Sequence, residues 1–266
     1  MVDIDGFLEY MYDEEFAEST RKSYMYAVRS FSEKYDDVNK SNIVAFKQEL
    51  MSDKSPKTVN LRLTAIKKYC QYKGLRIDIK RVKIQKIVCI EDVLTIDEYS
   101  SLLEGLIRDN DIRHAIIVIL MAKTGARISE ILRFRKRDLQ KDYIDLHTKG
   151  KVRRIYFPDG MKKQIAQWTD NMKDDDYLCQ NRFGKKITPK GVNEFLKSCS
   201  ERYGITKSHL HAHSFRHMFA IEFLKRNNNI SLLADLLGHS GINTTMIYLR
   251  MSQRQQKEEI NKAVDW

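Results

Sequence analysis

The sequence predicts a mainly α protein with a small antiparallel β-sheet, split into an N-terminal helical part and a larger mixed part. Three observations predict it. Gly and Pro are scarce, at 11 and 3 of 266 residues, which excludes collagen, Gly-rich low-complexity chains and turn-dense β-sandwiches. Apolar residues recur at helical spacing, as at Val59, Leu63, Ile66 and Cys70. Only one region, residues 143–157, reads as paired strands around a Gly-containing turn. Hydrophobic residues make up 42% and aromatic residues 10%, within the range of chains that bury a core.

In chain order, Ser19 or Thr20 is placed to cap a helix running to about Tyr35, and Asn42 to cap another running to about Met51. Ser55-Pro56 opens a third, because Ser is a good N-cap and Pro suits the first helical position. This helix sets Val59, Leu63, Ile66 and Cys70 on one face and Lys57, Asn60, Thr64, Lys68 and Gln71 on the other. Residues from about 74 to 92 are short, basic and mixed, and read as a linker. Helical periodicity resumes at Thr95. The eight-residue apolar run 115–122 is far short of the ~20 residues that cross a membrane, so it reads as a buried helix. Tyr143 to Thr148, then Lys149-Gly150-Lys151, then residues 152–157 form the hairpin, with Pro158 as its stop. Helices return from Met161, and no internal repeat is present.

Charge points to the partner. Lys and Arg number 47 against 36 acidic residues, a net charge of +11, which favours a polyanion. The excess is concentrated: residues 1–53 carry a net −6, whereas residues 54–90 hold eleven basic side chains against Asp78 alone. Such a stretch repels itself unless an anion neutralises it, so Lys57, Asn60, Thr64, Lys67, Lys68, Lys80, Arg81 and Lys83 are the candidate phosphate contacts. Cys70, Cys89, Cys179 and Cys199 are widely spaced with no C-x-x-C pair, so reduced thiols are expected and a thiolate zinc site is not. The acidic start, Met1-Val2-Asp3-Ile4-Asp5, lacks the apolar run of a signal peptide. A cytoplasmic location, with no membrane partner, is the expectation.

Three short stretches carry the chemistry. Thr124-Gly125-Ala126-Arg127-Ile128-Ser129-Glu130 sets an Arg after a Gly turn beside the buried helix. His213-Ser214-Phe215-Arg216-His217 puts His and Arg on one helical face. Leu236-Leu237-Gly238-His239-Ser240 is followed, nine residues after His239, by Tyr248. In this order and spacing, with a hairpin Lys between the first two, they resemble the tyrosine recombinases, the phage-integrase family of site-specific DNA recombinases. The signature runs from Arg127 to Tyr248. The stretch Ser19-Thr20-Arg21-Lys22-Ser23-Tyr24 is also similar to that family's core-binding domain.

The resemblance implies an all-helical, SAM-like core-binding domain over residues 1–88, joined by the basic linker to a mixed α/β catalytic domain over 92–266, with a C-terminal exchange helix at about 251–266. It implies a phosphate clamp of Arg127 and Arg216, since two permanently charged guanidinium forks neutralise phosphoryl oxygens without a metal. Tyr248 is then the nucleophile, leaving a 3′-phosphotyrosine. A phenol with pKa near 10 needs its proton removed as it attacks, and His213 matches the base. Lys149 aligns with the general-acid lysine, with Lys151 as the alternative. His239 would bind the phosphate or brace Tyr248, Glu130 would orient Arg127, and His217 would be structural. The implied partners are double-stranded DNA bearing a specific recombination site and further copies of the chain, as a tetramer on two sites through the C-terminal helix. No metal, ATP or other cofactor is implied.

Two rivals share parts of this pattern: a type IB topoisomerase, and a non-enzymatic DNA-binding accessory protein or repressor derived from an integrase. The compact His-x-x-Arg, the Gly-His and the short gap to Tyr favour the recombinase over the first. The complete set of catalytic positions argues against the second. His209, His211, His213 and His217 have no paired cysteines or carboxylates to complete a zinc site, and Gly184-Lys185-Lys186 lacks the rest of a phosphate-binding loop.

Overall fold

The computed structural model describes residues 2–84, 93–148, 151–239, 241–249 and 260–264, the side chains of Thr148 and Lys151 excepted. The chain divides into two compact units, residues 1–86 and 87–266.

Among the described residues the first unit has four helices: α1 (Ile4–Asp13), α2 (Glu18–Ser32), α3 (Lys40–Asp53) and α4 (Pro56–Tyr72). Each buries an apolar stripe, and Phe7, Met11, Val28, Phe31, Phe46, Leu63 and Ile66 form a common core. As expected, Ser55 caps α4 and Pro56 opens it, and Val59, Leu63, Ile66 and Cys70 are all buried. Two starts differ from expectation. α2 begins at Glu18 after Ala17, which makes no side-chain cap, and it ends at Ser32. α3 is capped by Asn39, whose extended backbone lets its side chain accept from the Asn42 N–H. Asn42 is the recipient of the cap, three residues into it.

The basic stretch after α4 is a larger correction. Ile77, Ile79 and Val82 pack on the core of the first unit. Lys47 Nζ donates to the Lys80 carbonyl at 2.9 Å. The Asn60 side chain clasps Val82 from both sides, donating to its carbonyl at 2.9 Å and accepting from its N–H at 2.8 Å. Residues 75–84 are therefore a strap belonging to this unit, and residues 85–92 of the expected linker lie outside the described residues.

The second unit is built round α6 (Ile112–Thr124), whose residues 115–122 are all buried. Packed against it are α5 (Ile96–Arg108), α8 (Asp159–Thr169) and α10 (Ala212–Arg226). Thr95 caps α5 in a reciprocal capping box with Glu98. The short α7 (Ile128–Ile131) follows α6, and α9 (Pro189–Tyr203) and α11 (Ile230–Leu237) flank α10 in the chain. The expected hairpin is present as antiparallel β1 (Tyr143–Thr148) and β2 (Lys151–Tyr156), pairing Tyr143 with Tyr156 and Thr148 with Lys151. Along β2 the odd positions Arg153 and Ile155 are buried, as is Phe157 beyond it, while Val152, Arg154 and Tyr156 are exposed. A smaller cluster of Ala220, Leu224, Leu233 and Leu237 joins α10 to α11, with Tyr248 packed on it. None of the described helices is long and apolar enough to cross a membrane.

Gly125 ends α6 in the left-handed region, at φ 58. A Cβ there would stand 2.4 Å from the Phe219 ring. Gly125→Ala therefore combines backbone strain with overpacking, and is expected to lower stability by about 2–3 kcal/mol. Urea unfolding of the variant against the parent measures this.

Candidate active site

Three arginines from three elements meet at the C-terminal end of α11. That end exposes carbonyls with no partner inside the helix and carries partial negative charge. Arg153, from β2, donates Nη2 to the Leu236 carbonyl at 2.8 Å. Arg216, from α10, donates to the Leu237 carbonyl with one nitrogen and to the Gly125 carbonyl with the other, at 2.8 Å. Arg127 Nη2 comes within 3.5 Å of the Gly238 carbonyl. The two arginines of the sequence pattern, 89 positions apart, thus converge on consecutive carbonyls. Gly238 makes room for this: it is left-handed at φ 61, and a Cβ would meet Arg153 Cδ at 2.4 Å.

The three differ in exposure. Arg216 is 2% exposed and Arg153 9%, whereas the Arg127 side chain is 46% exposed. Burial, reinforced by the neighbouring Arg153 and Arg127 cations, pushes the Arg216 guanidinium down to about 10. It stays cationic at neutral pH.

Glu130 lies among them. Its Oε2 accepts the Arg127 backbone N–H at 2.7 Å and a bond from Arg153 Nη1, while its Oε1 accepts from Arg127 Nη1 at 3.2 Å. Burial works to raise the Glu130 carboxyl, but the Arg127 backbone N–H and the Arg153 cation hold it below its ordinary value. It is a carboxylate, with two cations sharing one charge.

α10 presents His213, Arg216 and His217 on one face. His217 Nδ1 is 2.9 Å from the Tyr248 hydroxyl, and the His213 and His217 rings meet edge to face with centroids 4.4 Å apart. His239 Nδ1 instead bonds Thr245 Oγ1 at 2.8 Å. From sequence, His239 is expected to bind the phosphate or brace Tyr248, and His217 to be structural. In the structure His217 holds the phenol, because the 3₁₀ turn Met246–Leu249 packs on α10.

Burial and neighbouring cationic groups lower both His217 and His239 to about 4. Both are neutral at pH 7, so the phenol of Tyr248 meets an uncharged imidazole at His217. Burial raises the Tyr248 phenol, while Arg216 pulls it down.

Burial lowers His213 in the same direction, and the two histidines depressed to about 4 fix a sign for stability. An imidazole that folds neutral contributes stability that is present above its unfolded pKa, near 6.5, and lost as pH falls toward about 4. The melting temperature is therefore expected to drop between pH 6.5 and 4. Replacing His217 and His239 with Gln should flatten that drop, as thermal scans across the range would show.

Lys149 lies outside the described residues, as does the side chain of its alternative Lys151. So does most of the expected C-terminal helix, of which residues 260–263 are helical. In the first unit Lys57, Lys67, Lys80, Arg81 and Lys83 are exposed. Asn60 and Thr64 are half-buried and engaged within the unit: the Asn60 side chain bonds Val82, and the Thr64 hydroxyl donates to the Asn60 carbonyl at 2.7 Å. Lys68 is partly buried, with Nζ 5.7 Å from the Phe16 ring centroid. His209 bonds Glu98 and His211 caps α10. Among the described residues no group of three or more His, Cys, Asp or Glu is arranged to hold a metal ion.

Sequence reasoning missed Arg153. The signal was present: in a strand with Ile155 and Phe157 facing inward, period-two alternation turns residue 153 inward as well. A buried arginine at that register requires a partner.

Residues 92–255 match the Phage integrase family. Tyrosine recombinase XerA of Pyrococcus furiosus is 28% identical over 270 residues, spanning 98% of this chain and 93% of the relative. Tyrosine recombinase XerC of Leptospira interrogans is 30% identical over 190 residues, spanning 69% of this chain and 60% of the relative. Among solved structures, a lambda integrase (75–356) dimer bound to a COC′ core site superimposes with a TM-score of 0.74 at 14% identity, covering 91% of this chain and 95% of that one. XerA recombinase superimposes with a TM-score of 0.56 at 24% identity, covering 99% and 98%. With the family match running over well more than half its length, the chain belongs to the phage integrase family, the tyrosine recombinases.

Proposed function

We propose that this chain is a site-specific recombinase that cuts and rejoins double-stranded DNA through a 3′-phosphotyrosine, with no metal or ATP. The observation that carries the reading is the convergence of Arg127 and Arg216 at the end of α11, with the Tyr248 phenol held by a neutral imidazole on the same helix as Arg216. The two guanidinium groups neutralise the nonbridging oxygens of the scissile phosphate, where charge grows in the transition state. The Tyr248 oxygen attacks phosphorus, its proton passes to the His213–His217 pair, and the bond from phosphorus to the 5′-oxygen breaks. Lys149, assigned by family resemblance, supplies the proton to that leaving oxygen. His239 donates to the phosphate. Since the phosphotyrosine keeps the energy of the broken diester, another 5′-hydroxyl reverses the step and seals a new strand pairing.

The strap and the exposed basic residues of the first unit support a DNA-binding role for it, with Lys57, Lys67, Lys80, Arg81 and Lys83 at phosphates. Four copies working on two sites, joined through their C-terminal segments and passing through a Holliday junction, complete the reading, in a prokaryotic cytoplasm.

The test is covalent capture. The full-length protein is mixed with nicked duplexes of randomised sequence, denatured, and the attached DNA sequenced. A denaturant-resistant adduct at a 3′ phosphate, enriched for one sequence, is the expected result. No adduct would leave a binding protein without catalysis, and relaxation of a supercoiled plasmid of unrelated sequence would identify a topoisomerase.

A further inference from the structure

Arg153 is nine-tenths buried, sits inward on β2, and bonds Glu130 with one nitrogen and the Leu236 carbonyl with the other. Its Nε has no hydrogen-bond partner, so the side chain is held by its charge and fork and not by full satisfaction of its donors. A buried arginine on a hairpin is costly to desolvate, and a hydrophobic residue would continue the face of Ile155 and Phe157. Its neighbours explain its presence. Glu130 is a buried carboxylate whose other cationic neighbour is Arg127, which is half exposed and retains donors that Glu130 does not use. Were Glu130 left with Arg127 alone, that guanidinium would close on the carboxylate in a two-pronged pair. Its charge would then be cancelled at the place where the phosphate is to bind.

We propose that Arg153 is a positioning residue for DNA cleavage: as the counter-cation of Glu130, it keeps Arg127 from being captured by that carboxylate. Glu130 then fixes the Arg127 backbone and one guanidinium nitrogen without consuming the charge. This deepens the reading of Arg127 as a phosphate clamp and rests on it.

The test is a double-variant cycle that neutralises Arg153 and Glu130 in the full chain, measured as single-turnover adduct formation at saturating nicked duplex recovered by covalent capture. Arg153→Met should slow cleavage by roughly 10²-fold, the scale of losing one phosphoryl-stabilising donor. Glu130→Gln combined with Arg153→Met should recover at least about tenfold of that loss, since removing the carboxylate's charge frees Arg127 again. Arg153→Lys, which keeps the cation but not the fork to Leu236, should retain most of the rate. If Arg153→Met does not fold, Arg153→Lys is compared with the parent, and a loss of about 10²-fold in the folded lysine variant overturns the proposal. A folded Arg153→Lys as slow as Arg153→Met, or a double variant no faster than the single one, overturns the proposal.

The clamp itself is tested separately with a duplex bearing an uncharged methylphosphonate at the scissile position. The defect of Arg127→Ala should shrink on this substrate. If it does not, the clamp reading falls and the role of Arg153 with it. If it does shrink while Glu130→Gln restores nothing, Arg153 alone loses its assignment.

Discussion

Tyr248→Phe is expected to form no covalent adduct with the captured duplex while binding it with a dissociation constant within about twofold of the parent. The substitution removes one oxygen. The ring remains packed on the cluster of α10 and α11, so the site keeps its shape. What is lost is the nucleophile and its bond to His217 Nδ1. No other tyrosine among the described residues stands at this imidazole, so a substitute nucleophile is not at hand. Electrophoresis under denaturing conditions reads the adduct and a mobility-shift titration reads the affinity. A persisting adduct would move the nucleophile to another residue, and lost binding would make Tyr248 a structural group.

Arg216→Lys is expected to slow cleavage by roughly 10²–10³-fold, although charge is conserved. Arg216 spans the Gly125 and Leu237 carbonyls with two separate nitrogens while 2% exposed. An ammonium on a flexible stem cannot reach both and still face a phosphate. One buried carbonyl is left without its donor, at a cost of about 1–3 kcal/mol, so thermal stability should fall along with the rate. The same exchange at half-exposed Arg127 should cost less stability, because water can replace what the fork loses there. Comparing the two variants by single-turnover cleavage and by melting temperature separates position from charge. Equal stability losses would remove Arg216's claim to join α6, α10 and α11.

The parts of this molecule that were legible in its sequence are those written in local spacing. The run 115–122 announced a buried helix because it is apolar on every side, Ser55-Pro56 announced a helix start, and the alternation around Gly150 announced the hairpin. Arg127, Arg216 and Tyr248 were legible as a set because residue types that neutralise and attack a phosphate recur there in a known order. What failed to show depends on contacts distant in the chain. In sequence the strap resembles a linker because its charge outweighs Ile77, Ile79 and Val82, and the Asn60 clasp that holds it lies 22 residues upstream. That His217 and not His239 meets Tyr248 depends on where a 3₁₀ turn delivers the phenol, which spacing alone does not fix. Arg153 escaped because its partner Glu130 lies on another element, 23 positions away.

The end of α11 has a consequence for how tightly a strand can be gripped. Arg153 and Arg216 are already immobilised against backbone carbonyls before any nucleic acid arrives. Ordering a long side chain at an interface typically forfeits about 0.5–1.5 kcal/mol of rotameric freedom, and for these two that loss is incurred when the chain folds. In the proposed reading Arg216 therefore meets an incoming phosphodiester with little entropy left to lose, whereas half-exposed Arg127 still has conformations to surrender.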